Sequence, residues 1–200
     1  LNGAGGGVID IENGVSNGTY TVNGATTSDG SGAQMTVTDF NSVGSAFITV
    51  NGGENGGPGG QLTFNFEAVG SSARIALFGN GLLNLNLNDD TSGLRIGSLE
   101  GDGLVKLNNK ELTIGSNDLS TNFSGTIQNT GSIRKIGAGT LTLTGANRYD
   151  AGTTVTSGIL LVSNVTGSGT GTGVVSVNTG TLGGSGVITG AVTVGTGSGT

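Results

Sequence analysis

The chain has no cysteine, no histidine and no tryptophan among its 200 residues, and only one proline and one methionine. Without cysteine there are no disulfides and no thiolate zinc sites. Without cysteine and histidine, most nucleophile–base pairs of covalent catalysis are out of reach. Aromatic residues make up 4% and charged residues 10% of the chain, whereas ordinary globular domains are about one quarter charged. A thick core is therefore not available, and a narrow one built from valine, isoleucine and leucine is. No apolar run approaches the roughly 18 residues of a membrane-spanning helix, so no membrane insertion is expected of this segment. Basic runs are missing too. With a net charge of −6, neither nucleic acid nor an anionic membrane surface is an expected partner. No cofactor is expected either. Glycine runs such as Gly183-Gly184-Ser185-Gly186 are followed by no lysine and open no helix, so they do not read as phosphate loops. The chain opens on Leu1-Asn2-Gly3 without methionine or leader, which suggests a mature piece or an excised segment.

What is abundant is glycine, at 43 residues, with serine, threonine and asparagine. Such a composition can mean disorder, but here apolar residues arrive in alternating pairs throughout, which a disordered linker has no reason to do. Residues 8–24, 35–52 and 62–79 align as units of strand, small corner, strand and glycine-rich loop. Val22-Asn23-Gly24 recurs as Val50-Asn51-Gly52, and Met35 recurs as Leu62 at nearly the same step. A fixed period of this kind fits one coil of a solenoid, with Val22 on Val50 and Asn23 on Asn51. A row of hairpins in a sandwich is the alternative. Farther along, Leu83, Leu85 and Leu87 alternate with Asn84, Asn86 and Asn88, apolar inward and polar outward. Asp89-Asp90 ends that run, and Asn108-Asn109 reads as a tight turn. Phe123 and Ile127 are expected inside. From Gly139 the coils are expected to shorten: Leu141, Leu160 and Leu182 follow at spacings of 19 and 22, and Val155, Val175 and Val192 at 20 and 17.

Residues 135–162 read KIGAGTLTLTGANRYDAGTTVTSGILLV. Leu141 and Leu143 alternate with Thr140, Thr142 and Thr144, Gly145-Ala146-Asn147 breaks the strand, and two more short strands follow. This pattern resembles the autotransporter-associated β-strand repeat at Lys135, Gly137, Gly139 to Asn147, Tyr149, Gly152 to Val155, Gly158, Leu160 and Val162. Arg148 and Asp150 depart from the small polar residues common there. The resemblance implies a right-handed parallel β-helix outside the cell, from the secreted passenger region of a bacterial surface protein. It brings no catalytic residues, and it implies that Tyr149 is structural.

Candidate sites are sparse. Asp89, Asp90 and Asp102 are weak candidates for calcium, a hard cation that wants oxygen ligands. They lack the repeating β-roll calcium motif, and acidic residues beside glycine are more often solvated turns. A glycan-cleaving site would need converging acids and bases, for which Asp10, Asp39, Glu67, Arg74, Arg95, Glu100 and Lys106 are among those available. Asp10, Asp39 and Glu67 recur near one place in successive coils and are expected to stack on one face. Most aromatics alternate with polar residues, which favours packing over a sugar-stacking platform. No catalytic residue is assigned. The sequence thus predicts an all-β, single right-handed parallel β-helix over residues 1–200. Residues 1–80 form coils of about 27 residues with glycine-rich loops, and residues 81–200 form shorter ones. Its length is about eight or nine coils, or roughly 40 Å at about 4.8 Å per strand. The expected role is a non-enzymatic extracellular rod, adhesive or structural. Its expected partners are a host or matrix glycan or protein held by loops 25–32 and 53–60, or copies of itself end to end. A self-assembling filament subunit and a glycan-active enzyme are the alternatives.

Overall fold

The computed structural model describes residues 6–11, 17–38, 41–86 and 93–195. Among them the regular structure is twenty short strands and no helix. The strands sort into three sheets, parallel at every strand pairing. Sheet I holds Val8–Ile11, Gln34–Val37, Gln61–Asn65, Leu82–Asn86, Leu104–Lys106 and Thr126–Gln128. Sheet II holds Thr19–Val22, Phe47–Val50, Arg74–Leu77, Ser98–Gly101, Thr121–Phe123, Thr140–Leu143, Ile159–Val162 and Thr181–Gly183. Sheet III holds Leu94–Ile96, Lys110–Ile114, Gly131–Lys135, Thr153–Val155, Val175–Val177 and Val192–Val194. In the middle coils, which own a strand in each sheet, the chain visits I, III and II in turn, then climbs one strand and repeats. The protein is a β-solenoid. The eight strands of sheet II make eight levels, and hence seven full turns from first to last, fewer than the eight or nine coils expected.

Alternation puts the apolar residues inside. In Thr140–Leu143 the leucines are buried and the threonines are not. In Leu82–Asn86, Leu83 and Leu85 are buried while Asn84 and Asn86 face outward; Leu87 lies outside the described residues. Each inward residue sits on its equivalent one coil away. On sheet I the column runs Ile9, Met35, Leu62, Leu83, Val105 and Ile127. Phe123 and Ile127 are fully buried, as expected. Each such side chain contributes about 1.5–3 kcal/mol by leaving water.

The register agrees with most of the sequence spacings. Val22 pairs with Val50, and Val50 with Leu77. Leu141, Leu160 and Leu182 form one column. Two readings need correction. The coils shorten well before Gly139, because the step from Leu62 to its partner Leu83 is already shorter than the step from Met35 to Leu62. Val155 pairs with Val177 and not with Val175, which lies between Thr153 and Val192. A two-residue slip keeps the same side chains inward, so spacing alone does not choose between these registers. Valine misled because Thr153 takes an inward place normally held by an apolar residue, its hydroxyl 2.6 Å from that of Tyr149.

Corners are set by the close approach of successive coils. A Cβ on Gly32 would lie 2.1 Å from the carbonyl oxygen of Gly59 in the next coil, so only glycine fits. Asn108 and Asn109 turn tightly with φ of 48° and 69°, and the Lys110 amide donates to Leu107 O at 3.1 Å. Asparagines stack at corners because an amide can donate to one coil and accept from another. Asn51 donates to Asn23 at 2.7 Å, and Asn84, Asn108 and Asn129 form a three-coil ladder at 2.8 and 2.7 Å.

Candidate functional site

The inside of residues 133–162 is unusually polar for a solenoid core. Lys135 occupies the inward column of sheet III between Ile114 and Val155, and only 1% of it is exposed. Its ammonium donates to the carbonyl oxygens of Ile136, Gly137 and, one coil on, Ser157. Burial pulls its pKa below the ordinary lysine value, and the charge of Asp118 opposes that shift. Glycine shapes the cage: Gly137 has φ of 71°, and a Cβ there would lie 1.9 Å from Gly115 O.

Sheet I stops at Thr126–Gln128, and in the next coil Asn147 takes the place of a strand. The Ile127 amide donates to Asn147 Oδ1 at 2.7 Å, and Asn147 Nδ2 donates to Gly169 O at 2.7 Å. The backbone completes the exchange, with Arg148 N donating to Ile127 O and Asn147 N to Ser168 O. One side chain thus stitches three coils. Tyr149 fills the corner beside it, fully buried and bonded to Thr153. Burial drives its phenol pKa well above the usual tyrosine value, the Thr153 hydrogen bond opposing this. The motif thereby locks the coils from within. The roles of Lys135 and Asn147 were missed in the sequence. For Lys135 the signal was there: a period of two starting from Ile133 already turns it inward.

The outward residues do not converge. Asp10 lies on the exposed side of sheet I, as does Lys106 two coils beyond Thr63 on the same ladder. Asp10 pairs in register with Thr36, and Thr36 with Thr63, four residues short of Glu67. Asp10 and Glu67 therefore do not stack; Asp39 lies outside the described residues. On sheet II, Arg74 grips Glu100 through Nε and Nη2 at 2.8 and 3.0 Å, with its guanidinium 4.8 Å from the centre of the Phe47 ring. Arg95 belongs to sheet III. There Arg134 holds Glu111 in the same two-point manner, and this hydrogen bond, opposed by desolvation and aided by the charge of Glu111, raises its pKa. Three faces thus carry the groups that a glycosidase would need on one.

Asp89 and Asp90 lie outside the described residues. Asp102 accepts the amide of Gly79 at 2.9 Å, a contact between neighbouring coils. Among the described residues no group of three or more His, Cys, Asp or Glu could hold a metal ion. The aromatics divide. Phe64, Phe123 and Tyr149 are core, whereas Phe66 and Phe78, at 47% and 44% exposed, are exceptions to the packing expected of most aromatics. No helix among the described residues is long and apolar enough to cross a membrane.

Loops 25–32 and 53–60 leave the corner between sheets II and I and stack on each other. Ala25 N donates to Pro58 O and Glu54 N to Ala25 O, both at 2.8 Å, and Asn55 Nδ2 reaches Thr26 O at 3.0 Å. Their tips, residues 26–29 and 54–56, are exposed.

Among known protein families, the model described as the passenger-associated-transport-repeat matches residues 133–162, the segment in which Lys135, Asn147 and Tyr149 lock the coils. No curated protein and no solved structure matches the chain. With this repeat set in a parallel β-solenoid, the chain carries the passenger-type repeat of the autotransporter-associated family.

Proposed function

We propose that the protein is a non-enzymatic extracellular module whose work is mechanical. It forms a rigid rod that holds the loop corner and the polar sheet faces away from a bacterial surface, where they adhere to glycan or protein. The observation that carries this reading is the unbroken parallel ladder of sheet II, eight strands long, combined with acids and bases spread over three faces. A stacked ladder resists local opening because each coil is held on both sides. Passenger repeats of this family occur in secreted and surface proteins, which supports the location.

The filament alternative has an observation in its favour. In Val192–Val194 both valines are exposed, at 48% and 60%. An exposed strand with apolar side chains accepts another by β-augmentation, either a further coil of the same polypeptide or a second copy. Electron microscopy of the purified chain over a range of concentrations decides between them. Uniform short rods at every concentration are expected; fibres that lengthen with concentration would replace the module reading with the filament one, and round particles would refute both.

A further inference from the structure

Where sheet III begins, the corner leading to sheet II opens into a recess of about 370 Å³ lined by Val69, Ser71, Ser72, Arg95 and Ser116. These residues come from three successive coils, so the recess exists only in the stacked solenoid. Its size falls at the lower end of ordinary ligand pockets, about 300–1,000 Å³. Its chemistry is mixed in a particular way. Val69, 41% exposed, supplies an apolar patch. Ser71 is held at φ of 48°, a left-handed conformation that a non-glycine residue keeps only when its surroundings impose it. Its hydroxyl lies 2.7 Å from that of Ser42. Ser116 Oγ lies 2.6 Å from Ser71 O and 2.9 Å from Ile96 O, and Ser72 Oγ donates to Gly44 O at 3.3 Å. Ser72 and Ser116 thus spend their hydrogens on backbone carbonyls and keep oxygen lone pairs for an incoming donor.

Arg95 adds a cation of a distinct kind. Arg74 and Arg134 are each clamped by a glutamate. On the ladder of Arg95 the next residue is Thr113, which is neutral. The exposed guanidinium presents a fork of donors that matches a carboxylate.

We propose that this recess binds an acidic saccharide: Arg95 takes the carboxylate of a hexuronic acid unit, Ser72 and Ser116 accept from ring hydroxyls, and Val69 meets the C–H face of the ring. The proposal rests on the adhesive reading and gives it a ligand class. The net charge of −6 repels polyanions at long range, so binding depends on the local fork.

The test titrates the chain with a short hexuronic acid oligomer, and in parallel with the same oligomer after reduction of its carboxyl groups to alcohols, following NMR amide shifts. The oligomer is expected to move the amides of Ser71, Arg95 and Ser116, while the reduced one does not. Arg95→Gln should weaken binding about tenfold or more, the loss of one charge-assisted two-point contact, without lowering the denaturation midpoint. Ser116→Ala is the second variant and should weaken binding of the acidic oligomer less than Arg95→Gln does. Absence of binding to the wild type, or equal binding of the reduced oligomer, overturns the proposal. Binding that survives Arg95→Gln and moves amides in loops 25–32 and 53–60 also overturns it, while leaving the adhesive reading standing.

Discussion

Replacing Asn147 by alanine removes both halves of a side-chain substitute for a missing strand. Two buried main-chain groups lose their partners, the Ile127 amide and the Gly169 carbonyl, each held at 2.7 Å. A buried donor or acceptor left unpaired costs about 1–3 kcal/mol, so the pair amounts to about 2–6 kcal/mol. Nothing nearby repairs the loss, since Asn147 is 4% exposed and water has little access. Because each coil touches only its neighbours, the damage concentrates where sheet I ends. Urea denaturation followed by circular dichroism should give a lower midpoint. Hydrogen exchange should report the Ile127 amide opening at least about tenfold faster, about 1.4 kcal/mol of lost protection. Asn147→Asp separates the two halves at neutral pH. It keeps an acceptor for Ile127 but turns a carboxylate oxygen towards Gly169 O, so Ile127 should stay protected while the midpoint falls. An unchanged midpoint together with unchanged protection at Ile127 in Asn147→Ala would refute the reasoning.

In a Tyr20→Phe variant, whose only tyrosine is Tyr149, phenolate absorbance should appear only as the fold is lost. The folded pKa is raised above the unfolded value of about 10. The contribution is therefore complete below about pH 10 and lost as pH rises through the folded value; a smooth titration of folded protein near 10 would refute it. Gly32→Ala pushes a Cβ to 2.1 Å from Gly59 O and should destabilise by about 1–3 kcal/mol or somewhat more. Gly56→Ala meets no atom within 4 Å and bears only the strain of its positive φ, about 1–2 kcal/mol. Thermal denaturation that ranked Gly56→Ala as the more damaging would overturn the steric account.

The solenoid was legible because two periods coexist in the sequence. A period of two marks each strand, as in Leu83-Asn84-Leu85, and a longer one marks the coil, as in Val22-Asn23 and Val50-Asn51. The longer period fixes contacts between whole coils, and these are what local propensity cannot supply. What stayed hidden has one physical origin. Inward positions were assumed to be apolar, and at Lys135, Asn147 and Thr153 they are polar. That assumption drew Val155 onto Val175 in place of Val177, and it gave Lys135 and Asn147 no work. The recess at Arg95 was hidden for a different reason. It joins residues from three coils at a corner, and no spacing rule places corner residues once coil lengths vary.

Those inward polar residues also explain how a sheet can end without breaking the solenoid. On sheet I the step from Met35 to Leu62 is longer than the step from Leu62 to Leu83. Farther on, the step from Val175 to Val192 on sheet III is shorter still. Sheet I ends well before that, at Thr126–Gln128, although the coils that follow are not all shorter: the step from Thr153 to Val175 is longer than the step from Leu62 to Leu83. Ending a sheet inside a solenoid strands its last donors and acceptors unless something answers them. Asn147 answers Ile127 on one side and Gly169 on the other. Lys135 fills the equivalent need at the turn after its strand in sheet III, where three carbonyls point at one place. The repeat is therefore best understood as the device that lets a three-sheet solenoid continue with two sheets, with its polar residues turned inward because that is where the unpaired backbone lies.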